Sequence, residues 1–153
     1  ANTSVKYDMD KAAKALDEKA WGKALAIYQN VLKTNPLHEG AREGKIYVLG
    51  QRGSDDDLIE LEQLAIHWPQ NPKIHAARAR ILAKQKHLVE SLAAWKRAYR
   101  LAPRNDDYGL SLAITLDRIG RTDDALRIYS MLSQPLPEEA QQRFSYLTAQ
   151  YNE

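Results

Sequence analysis

Residues 88–105 read LVESLAAWKRAYRLAPRN, and this stretch decides the fold. Leu88, Leu92, Trp95, Ala98, Tyr99 and Leu101 recur at the steps of one helical face. Ala102-Pro103 ends that helix, because a proline pushes the residue before it out of the α region. The same punctuation returns along the chain. Pro36, Pro69, Pro103 and Pro137 stand 33, 34 and 34 residues apart, and twelve residues before them lie Ala24, Asp57, Ser91 and Ala125. A period of this size marks an array of helical units that bury their apolar faces against their neighbours.

Working outward, each unit reads as two helices and a short turn. In the first, Val5 to Leu16 precedes Trp21, Ala24, Tyr28, Val31 and Leu32, and Asn35-Pro36 stops the pair. In the second, Ala41, Ile46, Val48 and Leu49 lead to a break at Gly53. Ser54 with Asp57 three residues on then gives a capping-box pattern, and Asp55, Asp56 and Asp57 suit the positive end of the helix dipole. Leu58, Leu61, Leu64, Ala65 and Trp68 follow as a buried stripe. The third unit places Ile74, Ala77, Ala79, Ile81 and Leu82 ahead of the quoted stretch. The fourth has Leu110, Leu112, Ala113, Leu116 and Ile119, then Gly120, then Ala125, Leu126, Ile128, Tyr129 and Leu132. Pro137 opens a last helix with Phe144, Leu147 and Tyr151 on one side and Glu138, Glu139, Gln141 and Gln142 on the other, as an array needs to cap its end. Strand-like alternation is absent, so the expectation is an all-α protein of nine helices.

Composition excludes several classes. The 153 residues are 44% hydrophobic and 27% charged, ordinary for a folded domain, and the net charge of +2 favours no class of partner. With no Cys there is neither a disulfide framework nor a thiolate metal site. No stretch approaches the ~18 apolar residues of a membrane span. The first residues, Ala-Asn-Thr-Ser-Val-Lys, carry no apolar signal segment and no initiating Met, which reads as an excised or processed fragment.

These units resemble the tetratricopeptide repeat, whose second helix carries Ala-x-x-x-aromatic before its closing proline. Ala24-x-x-x-Tyr28 and Ala125-x-x-x-Tyr129 match; Ser91-x-x-x-Trp95 matches with Ser for Ala; Asp57-x-x-x-Leu61 departs, and its turn is one residue short. Ala12, Ala79 and Ala113 occupy the close-contact position of the first helix, with Ile46 in the second unit. The resemblance implies an α-solenoid of four helix hairpins, at about 5–38, 39–71, 72–105 and 106–137, plus a capping helix at 138–151, forming one domain over 1–153. It also implies that first helices line a concave groove for a protein or peptide partner. The family's groove positions fall on Lys6, Met9, Ala13, Leu16 and Asp17, on Glu43, Gly44 and Tyr47, on Lys73, Ala76, Arg80 and Lys84, and on Leu110, Ile114, Asp117 and Arg118. This mixture of apolar residues and charges suits an extended or helical peptide with some acidic character. One subgroup of the family grips a C-terminal carboxylate; of the matching positions here (Met9, Ala13, Tyr47, Ala76 and Arg80) only Arg80 fits.

Other chemistry finds less support. Between Lys73 and Arg104 there are nine Lys or Arg against the single acid Glu90. This is either a solvated surface balanced by the acidic 55–62 segment or a site for an acidic peptide, an anionic polysaccharide or a lipid surface. Nucleic acid is disfavoured, since no aromatic-plus-basic module motif accompanies the charges. His38, His67, His75 and His87 have no metal-binding spacing, and the Ser54-Asp-Asp-Asp run lacks the loop of a calcium site, so no cofactor or metal is expected. Trp21, Trp68 and Trp95 fall at core phase and are expected to pack rather than stack on a ligand. No nucleophile, base and orienting acid assemble, so an enzyme is not expected.

The reading is a non-catalytic interaction scaffold. The style of the fourth unit is similar to repeat domains of Gram-negative pilus-assembly, secretion and exopolysaccharide-export proteins, which implies a periplasmic segment of a bacterial envelope assembly. The alternatives are a cytosolic chaperone or adaptor for an unstructured client, and a binder of an anionic polymer or membrane surface through the basic third unit.

Overall fold

The computed structural model describes residues 2–152, and every regular element among them is an α-helix. The chain divides into two compact units at Pro69 and Gln70. The first holds α1 (Asn2–Asp17), α2 (Trp21–Thr34), α3 (Glu39–Arg52) and α4 (Asp55–His67). The second holds α5 (Pro72–Lys84), α6 (Leu88–Leu101), α7 (Asp106–Ile119), α8 (Thr122–Met131) and α9 (Glu138–Tyr151). Helices α1 to α8 form four hairpins in sequence order, and α9 packs on α8.

The recurring prolines set where the helices begin. The residue two after Pro36, Pro69 and Pro103 is in each case the N-cap of the next first helix. Its side chain accepts a backbone N–H: His38 Nδ1 from Ala41 at 3.0 Å, Asn71 Oδ1 from Lys73 at 3.0 Å and Asn105 Oδ1 from Tyr108 at 3.1 Å. These bonds satisfy donors that a helix start otherwise leaves without partners. Between the helices of each hairpin one residue adopts a left-handed backbone: Lys19 (φ 56°), Gly53 (φ 68°), Lys86 (φ 66°) and Gly120 (φ 94°). Glycine takes this conformation without penalty, whereas Lys19 and Lys86 carry a Cβ that disfavours it.

The positions twelve before the prolines are among the most buried of the molecule: Ala24, Asp57, Ser91 and Ala125 are all at most 1% exposed. Ala12, Ile46, Ala79 and Ala113, on the first helices, are equally buried. Serine substitutes for alanine in the third hairpin because its Oγ donates to the Ala79 carbonyl at 2.8 Å, from α6 to α5. Asp57 is accommodated by a different device. Its carboxylate accepts the Arg52 Nε at 2.9 Å, the second Arg52 nitrogen at 2.6 Å and the Ser54 N–H at 3.1 Å, while Ser54 Oγ accepts the Asp57 N–H at 3.1 Å. The capping box read from the sequence is therefore formed, and one guanidinium completes the solvation of the buried acid.

Three expectations need correction. Trp95 is buried at 5% exposure, but Trp68 is 36% exposed, beyond the last turn of α4, with the Arg42 guanidinium 4.2 Å over its ring. Trp21 is half-buried and meets Tyr47 edge-on at 6.3 Å. The helical count assumes that α4 continues through Trp68; it ends at His67, so the side chain leaves the core face. Tyr151 likewise lies outside the core of α9, where Leu147 is buried and Phe144 half-buried against Tyr129.

Candidate binding faces

In residues 2–69 the first-helix positions give a mixed face, on which Lys6 and Asp17 are exposed beside the apolar residues. Ala13 and Tyr47 are exposed, Tyr47 at 48%, while Met9, Leu16 and Glu43 are half-buried. Gly44 does not belong to this face. A Cβ added to it would collide with the Tyr28 ring, so it turns toward α2 and lets α3 approach the aromatic of that helix. Between α3 and α4 two ion pairs form: Lys45 Nζ lies 2.6 Å from Glu60, and Arg52 is paired with Asp57. Burial pushes the Asp57 carboxyl upward, but the bonds from Arg52 and Ser54 outweigh it and hold the carboxyl below its usual range. The Arg52 guanidinium is held above its ordinary value chiefly by its bond to Asp57.

In residues 70–152 the corresponding face is cationic. Lys73, Arg80, Lys84 and Arg118 are at least partly exposed; Ile114 is 39% exposed and Leu110 half-buried. Ala76 is fully buried and offers nothing to a partner. Arg80 lies 5.5 Å from the ring centre of Trp95, so the buried indole gives its guanidinium a cation–π seat. One turn further along, Lys84 from α5, Lys86 from the turn and Arg118 from α7 line a cleft of about 630 Å³ with Ala83 and Leu88. No carboxylate lines that cleft among the described residues. Asp117, one residue before Arg118, is committed elsewhere: Arg143 of α9 donates to both its oxygens, at 2.6 and 2.8 Å.

The structure thus brings Lys84, Arg118 and the unforeseen Lys86 together and gives Arg80 a rigid support. It turns Gly44 toward α2, buries Ala76 and ties Asp117 to the closing helix. Lys86 belongs to the basic stretch visible in the sequence, but only the left-handed turn brings it to the cleft. His38 is spent as a helix cap, and His75 is buried with Arg78 3.4 Å from its Nδ1. Among the described residues no helix is long and apolar enough to cross a membrane.

No protein-family model matches this chain, and neither does any curated protein. Solved structures do. MamA (41-end) from Desulfovibrio magneticus RS-1 is 18% identical, with a TM-score of 0.66, over 83% of this chain and 72% of that one. TTC0263, a thermophilic TPR protein in Thermus thermophilus, is 15% identical, with a TM-score of 0.68, over 96% of this chain and 82% of that one. At such identities the likeness concerns the fold, and it agrees with the proline period, the paired helices and the buried small residues: this chain has the fold of the tetratricopeptide repeats.

Proposed function

We infer that this chain is a non-catalytic interaction module that holds an acidic protein segment on the first-helix face of residues 70–152. The observation that carries the reading is the cleft lined by Lys84, Lys86 and Arg118, in which three cations face one space with no lining carboxylate among the described residues. Like charges so placed repel one another and are relieved by an anion. Arg80 and Ile114 extend the cleft by one helical turn, adding a planar guanidinium and an apolar contact. A peptide with two or more carboxylates and one apolar anchor fits this set.

A scaffold role is favoured over an enzyme because the reactive side chains have structural tasks. Asp57 holds Arg52 and a helix start, Ser91 bonds a carbonyl, and His38 caps α3. On the first-helix face of residues 2–69 the exposed Tyr47, with the half-buried Met9 and Leu16, supports a protein partner rather than a small ion. The reading extends to a periplasmic place in a bacterial envelope assembly, of the pilus, secretion or exopolysaccharide-export kind. Fractionation of cells carrying the intact gene tests that extension, and recovery in the cytosol contradicts it.

The binding reading is tested by selecting peptides from a random library on the whole chain and following amide resonances during titration. Selected sequences rich in Asp and Glu, with shifts concentrated at 80–86 and 114–118, are the expected result. Neutral or basic selected sequences, or shifts confined to α9, contradict it.

A further inference from the structure

We propose that α6, α7 and α8 form a second binding cleft, on the side of α7 away from Ile114 and Arg118, for a short peptide segment that sets carboxylates beside an aromatic or large apolar side chain. The cleft has a volume of about 330 Å³. Four cations stand around it: Lys96 and Arg100 from α6, Arg121 from the turn before α8, and Arg127 from α8. One carboxylate, Asp124, lines it as well, so four positive charges less one negative leave an excess of three.

Asp124 shows what these cations grip. Arg121 donates to its Oδ2 through Nε at 2.9 Å and through a terminal nitrogen at 2.6 Å, and Arg127 reaches its Oδ1 at 3.4 Å. The internal acid therefore occupies part of a carboxylate site. Lys96 and Arg100, across the cleft, have no carboxylate within ion-pair distance among the described residues. An incoming carboxylate between the two helices meets those two directly and can share Arg127, whose bond to Asp124 is long.

The floor distinguishes this site from a plain anion trap. Leu112 and Leu116 of α7, which are almost fully buried, line the cleft together with Ile128 and the half-buried ring of Tyr99. Tyr99 and Ile128 supply its accessible apolar surface, and only a ligand with its own apolar group gains from covering them. A flat lipid surface does not enter a recessed cleft of this size. A uniformly charged polysaccharide covers the cations and leaves the floor unfilled. Leu112 and Leu116 lie on the opposite side of α7 from Ile114 and Arg118, so this site stands independently of the first-helix reading.

The test uses the whole chain and a fluorescein-labelled hexapeptide of alternating glutamate and phenylalanine, read by fluorescence anisotropy. Lys96→Gln with Arg100→Gln is expected to weaken binding about tenfold, and Asp124→Asn to tighten it about threefold by releasing Arg121 and Arg127. Circular dichroism verifies that each variant is folded. These titrations are run in a Lys84→Gln, Arg118→Gln background, which disables the first-helix cleft, so failure of the first-helix reading alone leaves all these outcomes unchanged. The proposal is overturned if the hexapeptide does not bind in that background or if Asp124→Asn weakens it. It is equally overturned if heparin or phosphatidylglycerol vesicles bind more tightly than the peptide with the same dependence on Lys96 and Arg100.

Discussion

The second and third repeats place their charges in opposite ways. In the second, Lys45 meets Glu60 and Arg52 meets Asp57. In the third, Arg80, Lys84, Lys86, Lys96, Arg97, Arg100 and Arg104 have no ion-pair partner among the described residues. The second repeat uses charge to fold, solvating an acid at a position where its sister repeats carry Ala or Ser. The third uses a serine there and leaves these seven cations at least partly exposed. Acids of the 55–62 segment, expected to balance the basic repeat, include two that are engaged within their own repeat, Asp57 and Glu60. Identical packing demands can thus be met with or without committing charges, and the uncommitted ones are what a partner can read.

The largest test of this contrast uses the two tryptophans. Trp95→Ala should destabilise the protein by about 3–5 kcal/mol, because the ring is buried and supports Arg80. Trp68→Ala should lose under about 1 kcal/mol, since that ring is partly exposed and covered mainly by Arg42. Chemical denaturation of both variants decides the matter, and equal losses would break the comparison.

Asp57 gives the next effect. Asp57→Ala should cost about 2–3 kcal/mol through loss of the cap and the paired bonds. This falls short of the cost of breaking a fully buried pair, because Arg52 is 39% exposed and can hydrate. The carboxyl is lowered relative to the unfolded chain, so its contribution is present above about pH 4 and disappears as pH falls through the folded value. Wild type should therefore lose its advantage over Asp57→Asn in acid, as thermal melts between about pH 7 and pH 3 will show.

Much of this is legible in the sequence for a physical reason. Prolines, caps and close-contact residues act on their own helix, so their spacing carries the information. The capping box at Ser54 is local, and the sequence alone reveals it. The solvation of Asp57 is not, because Arg52 reaches it from the preceding helix across the Gly53 turn. Arg143 and Asp117 are 26 residues apart, and no periodicity announces their pairing. Trp68 escapes its expected place because phase alone does not say where a helix stops. The cleft of Lys96 and Arg121 is hidden from a count of charges repeat by repeat, since it draws on two repeats.

The smallest stability effect sharpens the functional side. Lys19→Gly and Lys86→Gly should each stabilise the fold by about 0.5–1 kcal/mol by relieving a left-handed residue that bears a Cβ. Only Lys86→Gly should also weaken binding of a selected acidic peptide, since Lys86 lines the cleft and Lys19 does not line it. Paired melting and binding measurements check both halves.

The most direct measurement is the affinity of a library-selected acidic peptide for three forms of the protein. These are wild type, Lys84→Glu with Arg118→Glu, and Lys45→Gln, which breaks a pair in the second repeat. Charge reversal in the third and fourth repeats should weaken binding by about thirtyfold or more, while Lys45→Gln changes it by less than about twofold. Wild-type binding should also weaken as salt rises. Equal effects of the two substitutions, or no loss on charge reversal, would contradict the assignment of the unpaired cations to partner binding.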